Sequence, residues 1–430
     1  MAAAVLAVAL SSCAGAPAPQ ALPEDDSSAG WLADVRLAVE SLPQLHNDLY
    51  ALVPKAEWES RSVEYLSWAA EPGRSREELL VGLMRLVASV GDGHTLVRIG
   101  PEYYLPFSFY RFEEGYVALA VPSGSPELLG ARLASINGHP VAEVEAALAA
   151  VIARDNSMAL ANQFPNYVII PFVLEGLGLA AHGASSFDFG FVLADGTERS
   201  VSVAPVRYEA LREAVTQAGS APTPLSSLVP GRAAYGFARV PGTDVLYLAY
   251  NSCREDMALP LKAFAADLAA ELDSGGYRAV LVDLRRNGGG SSPLFWPVEK
   301  VLAERSAAGR GPGGLSVYVA IGRRTFSSAV LNAMELRSGQ AWAGVPAAGA
   351  VFVGEPSGGR PNHYGEVKTL PLPSLQATLC YSTKHFVMWK GNDDDAIYPD
   401  LPTPLRYVDY EGGRDVVLEA VLDSLAARTD

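Results

Sequence analysis

Val282-Asp283-Leu284-Arg285-Arg286-Asn287-Gly288-Gly289-Gly290 and, further along, Thr325-Phe326-Ser327-Ser328-Ala329-Val330 are the stretches from which the fold is read. The run Ala279 to Leu284 is short, apolar and β-branched, which predicts a buried strand. Asn287 to Gly290 ends it with residues that tolerate positive φ, so backbone N–H groups can turn toward a ligand. Leu315 to Ile321 reads as the next strand. Ser327 to Leu336 has helical spacing, with Val330, Leu331 and Met334 on one face. Ser327 then stands at a strand-to-helix junction, where unpaired amides and the helix dipole favour an oxyanion. A Ser-Ser pair alone would be read as a helix cap. The glycine turn upstream changes that reading, because together the two stretches supply a nucleophile and a set of free amides.

Working outward, Pro260 to Leu272, Pro293 to Ala303 and Ser327 to Leu336 read as helices, alternating with strands at Ala279 to Leu284, Leu315 to Ile321 and Val351 to Gly354. Such alternation predicts an α/β sheet domain. Gly288 to Gly290 lacks the spacing of a dinucleotide fingerprint or a P-loop, and no Cys-x-x-Cys or His-x-x-x-His pattern is present. We therefore expect no nucleotide cofactor and no metal. At 430 residues and 49% hydrophobic content the chain can bury a large core in two or three domains. Its net charge of -15, with only 33 Lys plus Arg, argues against a nucleic-acid partner.

Asp283 to Gly290, Ser327 to Val330, Val353-Gly354-Glu355-Pro356-Ser357-Gly358-Gly359 and Pro399-Asp400 follow one another in the order and spacing of the tail-specific, or C-terminal processing, protease family, which this chain resembles. The resemblance implies a multi-domain α/β protein with a crotonase-like, Clp-protease-like catalytic core. It also implies a serine peptidase acting on peptide or unfolded protein substrates, with Ser327 as nucleophile. One branch of the family places a lysine base shortly after Gly-Glu-Pro-Thr. Here that place is held by Gly359-Arg360-Pro361, and arginine does not give up its proton. Lys368 lies further on and reads as a surface or strand lysine.

A second branch, typified by the tricorn core, takes a histidine from far upstream. Gly91-Asp92-Gly93-His94-Thr95 resembles its Asp-x-His-Thr pattern, with Gly93 where that branch has a serine, and makes His94 the expected general base. His46, His139 and His182 sit beside polar or turn residues and are expected to face solvent, and His385 lies in a strand-like segment without a motif. His363, in the loop that takes the lysine's place, competes with His94 for a role at the site. For the acid behind the base the resemblance points to the Asn392-Asp393-Asp394-Asp395 run, with Asp393 aligning best and Asp394 and Asp395 as alternatives. For the oxyanion hole it implies the amides of Gly289 and Ser328, with Gly288 as the alternative to Gly289. The alternative function is a catalytically inactive relative that binds a peptide or an apolar ligand, as some vertebrate retinoid-binding relatives of the family do.

Met1 to Ser12 is apolar and runs into Leu10-Ser11-Ser12-Cys13, which resembles a bacterial lipobox. Residues 1–13 are thus expected to be a lipoprotein-type signal, too short to span a bilayer, with Cys13 as the lipid-bearing residue of an exported cell-envelope lipoprotein. That anchor is the only membrane contact expected. Residues 14–30, rich in Pro, Ala and Ser, read as a linker. Residues 31–100 read as a helical domain, including an amphipathic segment from Glu77 to Val90. Residues 101–232 read as β-rich, with strands at Tyr116 to Val121 and Phe187 to Leu193 and a helix from Val141 to Ala153. Residues 233–430 read as the catalytic domain. Gly130 to Val141 resembles the Ile-Asn-Gly element of PDZ domains, which add a peptide strand and capture its carboxylate. Gly176-Leu177-Gly178-Leu179 is the candidate carboxylate loop. With Cys13 lipidated, Cys253 and Cys380 are left either to pair or to stand as two buried thiols.

Overall fold

The computed structural model describes residues 26–219, 223–308, 314–338 and 349–427. The signal, Cys13 and most of the linker lie outside the described residues. The described residues form two compact units, one up to residue 218 with 363–386, the other from residue 219 to 362 with 387 onward. This division differs from the boundaries read from the sequence. Residues 363–386 follow the catalytic motifs in order, but Ala377–Val387 pairs antiparallel with Leu96–Ile99, Leu96 opposite Cys380 and Ile99 opposite Ala377. Strand pairing overrides chain order here.

The first unit opens with helices Ser28–Leu45, Lys55–Ala69 and Arg76–Ala88. The third starts sharply because Ser75 and Glu78 form a reciprocal capping box, and its buried Leu79, Leu80, Leu83, Met84, Leu86 and Val87 explain the spacing seen in the sequence. The β-rich region is a seven-stranded sheet. In Phe187–Val192, Phe187, Phe189 and Phe191 are buried while Asp188 between them is exposed, the two-residue period of a half-buried strand. Phe107 packs on Phe189 at 4.5 Å and on Phe191 at 5.6 Å between ring centroids. Arg132–Ile136 turns back through Asn137 (φ 49) and Gly138 (φ 81), so that Ile136 pairs with His139. Two consecutive positive φ values are what a tight hairpin needs, hence Asn-Gly.

Gly176 to Leu179 is not a carboxylate loop. It is the end of the helix Pro171–Gly176, where the amides of Leu177, Gly178 and Leu179 already donate to Val173, Glu175 and Leu174. A helix C-terminus also presents carbonyls, which repel an anion.

The second unit is built on a six-stranded sheet in the order Tyr235–Arg239, Val245–Tyr250, Ala279–Asp283, Ser316–Ile321, Val351–Gly354 and Leu401–Pro402. All neighbours after the first pair run parallel. Helices Leu261–Ser274, Trp296–Ala308 and Ser328–Ser338 connect successive parallel strands. Alternate strand residues enter two separate cores: Leu246, Leu248, Val280, Val282, Val317 and Val319 on one face, Val245, Tyr247, Ala279, Leu281, Tyr318 and Ala320 on the other. A parallel sheet covered on both faces needs the near-continuous apolar strands found here, each fully buried aliphatic side chain contributing ~1.5–3 kcal/mol. The ends of the strands and helices expected in this unit hold to within about five residues, and Val351–Gly354 matches at both ends.

Candidate functional site

In the second unit the two motif stretches leave the carboxyl ends of adjacent parallel strands, Asp283 opposite Ala320. That edge of an α/β sheet is where loops are free to build a site. Side chains and backbone then tie the two loops together. Thr325 Oγ1 donates to the Leu284 carbonyl at 2.9 Å and accepts from the Gly322 amide at 3.1 Å. The Phe326 amide donates to the Asn287 carbonyl at 3.2 Å, and Ser328 Oγ donates to the Gly290 carbonyl at 2.7 Å.

Between these ties stands Ser327, half-buried, with φ 54. A non-glycine residue in the left-handed region is strained, and the surrounding ties hold it there. A serine on a sharp strand-to-helix turn presents its Oγ clear of the helix that follows. That helix, Ser328–Ser338, begins at once, the Val330 amide donating to the Ser327 carbonyl at 2.8 Å. The Ser328 amide belongs to the first turn, which has no intrahelical carbonyl to bond.

The glycine turn packs directly on the serine. A Cβ on Gly289 (φ 105) would stand 2.7 Å from Ser327 Cβ and 3.1 Å from the Ser328 nitrogen. A Cβ on Gly290 (φ 136) would stand 2.2 Å from the Cys253 carbonyl oxygen. The structure thus brings Ser327, Ser328 and Gly289 together, with Gly288 beside Gly289 in the turn. The Gly289 amide donates to Asn287 Oδ1 at 2.9 Å, whereas Gly288 is exposed. Gly358 and Gly359 close over the same corner by donating to the Thr325 carbonyl, and beside them Arg323 is paired with Glu355.

The first unit holds the histidines. Asp92, buried in the loop beyond the third helix, is the hub of a hydrogen-bonded cluster. Its Oδ2 accepts from His46 Nε2 at 3.2 Å, Thr95 Oγ1 at 2.5 Å and Ser382 Oγ at 2.6 Å, and its Oδ1 accepts from the His94 amide at 2.9 Å. Burial alone would push the Asp92 carboxyl up, but the bond from His46, the proximity of His94 and the two hydroxyls outweigh it and bring it down to about 2. Asp92 is therefore an anion at any ordinary pH. The His94 ring is 6% exposed, with Nδ1 3.9 Å from Asp92 Oδ1. His363 is also buried, and its ring stacks on that of His94 with centroids 5.5 Å apart and planes at 11°.

His46 does not face solvent as its neighbours in sequence suggested, because Asp92 draws it into the cluster. His139 and His182 are much more open. Asp393 lies exposed in the second unit and makes no hydrogen bond or ion pair with the described residues, while its neighbour Asp394 is tied to Asn392. The carboxylate beside His94 within its own unit is Asp92, the aspartate of the Asp-x-His-Thr pattern, for which the sequence alone suggests no role. Lys368 lies in the strand Asn362–Leu372, half-buried. Cys253 and Cys380 are both buried, and no disulfide joins them. Among the described residues no group of three or more His, Cys, Asp or Glu is placed to hold a metal ion.

No family model matches the sequence, and no curated protein matches it. Solved structures do match over nearly the whole chain. Mature CPAF superposes with a TM-score of 0.62 at 14% identity, covering 93% of this chain and 96% of that one. Mature CPAF complexed with lactacystin gives a TM-score of 0.63 at 14% identity, covering 93% and 97%. The photosystem II D1 C-terminal processing protease is also matched, at 14% identity over 91% and 96%, but with a TM-score of 0.41. The chain accordingly has the mixed α/β, multi-domain fold of CPAF, with helices at its start followed by a β-rich region.

Proposed function

We propose that the protein is a serine peptidase in which Ser327 attacks the scissile carbonyl, His94 takes the serine proton and returns it to the leaving amine, and backbone amides hold the oxyanion. The observation that carries this reading is Ser327 itself. A serine held at φ 54, at the head of a helix and against a glycine turn, keeps a strained backbone that a mere helix cap does not need. For the oxyanion donors we favour Ser328 with the turn, and within the turn Gly288 gains weight over Gly289, whose amide already serves Asn287. Asp92 is proposed as the carboxylate that orients the histidine side of the site, in preference to Asp393. The β-rich region with its Asn137-Gly138 hairpin is proposed as a PDZ-like substrate platform, without the Gly176 to Leu179 loop. Water then resolves the acyl-enzyme, and neither step calls for a metal.

The test is covalent labelling by a fluorophosphonate probe, with the modified residue identified by peptide mapping. Label on Ser327 supports the peptidase reading. A folded protein that takes no label at any pH supports the non-catalytic binding protein instead. We also propose that the protein is exported and anchored through Cys13. Palmitate incorporation in a bacterial host, lost in Cys13→Ser, is the expected result, and unlipidated soluble protein would sink it.

A further inference from the structure

His46 directly follows the first helix, Ser28–Leu45, and its amide still donates to the Leu42 carbonyl at 3.0 Å. The chain then turns at once. Asn47 donates its amide to the Ser382 carbonyl at 2.8 Å, and the Asp48 side chain caps a short helical turn by accepting the Ala51 amide at 3.2 Å. This leaves the His46 side chain buried against that of Asp92, with exposures of 0% and 1%. The Tyr364 ring covers it, centroids 5.2 Å apart, and is itself stacked on His385 at 4.3 Å.

Two hydrogen bonds decide where the His46 proton lies. The Asp48 amide donates to Nδ1 at 3.2 Å, so Nδ1 must offer its lone pair. Nε2 lies 3.2 Å from Asp92 Oδ2, and a carboxylate can only accept. The ring therefore carries one proton, on Nε2. A second proton on Nδ1 would meet the Asp48 N–H head on, so these two contacts select the neutral form. On the other side of the bond, a carboxylate offers about two acceptor sites per oxygen. Oδ2 already takes His46 together with Thr95 Oγ1 at 2.5 Å and Ser382 Oγ at 2.6 Å. Oδ1 takes the His94 amide at 2.9 Å and lies 3.9 Å from His94 Nδ1. The two hydroxyls can rotate to suit their acceptor, whereas the imidazole N–H is fixed in the plane of its ring. His46 is thus the rigid donor of the three.

We propose that His46 is a positioning residue for His94: fixed as the Nε2–H tautomer by the Asp48 amide, it holds Asp92 by Oδ2 and so keeps Oδ1 turned to the His94 ring. A carboxylate charge on that side draws the single proton of a neutral His94 to Nδ1. Nε2 is then left with the lone pair that a general base needs. Without the His46 N–H, the carboxylate rests on two rotatable hydroxyls and one loop amide. The loop keeps its shape, but the direction of the charge is no longer set. The catalytic consequence rests on the peptidase reading, whereas the tautomer and the orientation of the carboxylate do not.

Nitrogen NMR of the histidine rings and the rate of fluorophosphonate labelling of Ser327, both at neutral pH, test it together. In the native protein His46 should carry its proton on Nε2 and His94 on Nδ1. Two variants then separate the two bonds of His46. His46→Gln keeps an N–H near the place of Nε2 and should label within ~3-fold of native. His46→Asn keeps an acceptor for the Asp48 amide near the place of Nδ1 but loses the bond to Asp92. It should label at least ~10-fold more slowly, with His94 a mixture of both tautomers. A residue that merely closed the turn would be replaced better by Asn than by Gln. His46→Leu, which makes neither bond, serves if the Asn variant fails to fold. A native His46 protonated on Nδ1, or a Gln variant that labels no faster than the Asn variant, overturns the proposal. A native protein that never labels defeats the peptidase reading alone, and the ring spectra of the native and Asn proteins still decide the role of His46.

Discussion

Gly289 stands so close to Ser327 that a methyl group on the glycine would lie 2.7 Å from the serine Cβ. No pair of real Cβ atoms tolerates that distance, so the turn and the nucleophile loop fit only because the glycine has no side chain. Its φ of 105 excludes other residues independently.

Gly289→Ala should therefore cost ~1–3 kcal/mol of stability. It should also cost far more in reactivity, because whatever gives way must be the turn or the serine. We expect at least ~10²-fold slower fluorophosphonate labelling, the order seen when one oxyanion donor is lost. Thermal unfolding and labelling rate measured on the same sample separate the two effects. Labelling at the native rate would show that the contact is unrelated to the site.

Ser327 carries left-handed strain that glycine would not. Ser327→Gly should raise stability by up to ~1 kcal/mol while abolishing labelling, and Ser327→Ala should abolish labelling without the gain. Loss of the nucleophile should reduce turnover at least ~10³-fold. Ser328→Ala should keep measurable activity, since its amide survives and only the Oγ bond to Gly290 is lost. A Ser327→Gly protein that melts below wild type would mean the φ is not the source of strain.

Asp92 accepts two hydroxyls and a histidine on one oxygen, and its carboxyl sits at about 2 in the folded chain against an ordinary ~3.9. A depressed acid contributes stability in full above its unfolded value and loses it as the pH falls toward the folded one. Between about pH 4 and about pH 2 the protein should therefore lose ~2–3 kcal/mol through this group. Asp92→Asn should be less stable at neutral pH and show a flatter acid limb in urea unfolding. An unchanged limb would remove Asp92 from the hub.

His94→Ala should eliminate labelling with the fold intact, whereas Lys368→Ala should leave most of it. Circular dichroism verifies the fold and labelling rate reads the effect. The reverse outcome would restore a lysine base.

What the sequence revealed depended on how local the physics was. The glycine turn, the serine and the strand-helix alternation of the second unit are set by near neighbours, and they were legible. The helix Ser328–Ser338 hides more, since Ser328 to Glu335 are all buried and no polar face marks Glu335 as unusual. Glu299 is equally silent, because Asn332, which donates to it, is on another helix. His46 looked like a surface residue until Asp92, 46 positions away, claimed it. Gly176 to Leu179 points the opposite way: in sequence its amides look free for a ligand, but they belong to the preceding helix.

The Ser382 hydroxyl that completes the Asp92 cluster is 290 positions from it in the chain. Contacts of such separation form last, because the loop they close must be ordered first. A ribosome delivers residues in sequence, so a nascent chain that has not yet emitted Ser382 has the motif around His94 but lacks part of what fixes it. The histidine half of the molecule thus stays unfinished until most of the polypeptide has been made. A chain broken off during synthesis is left with a loose His94 region.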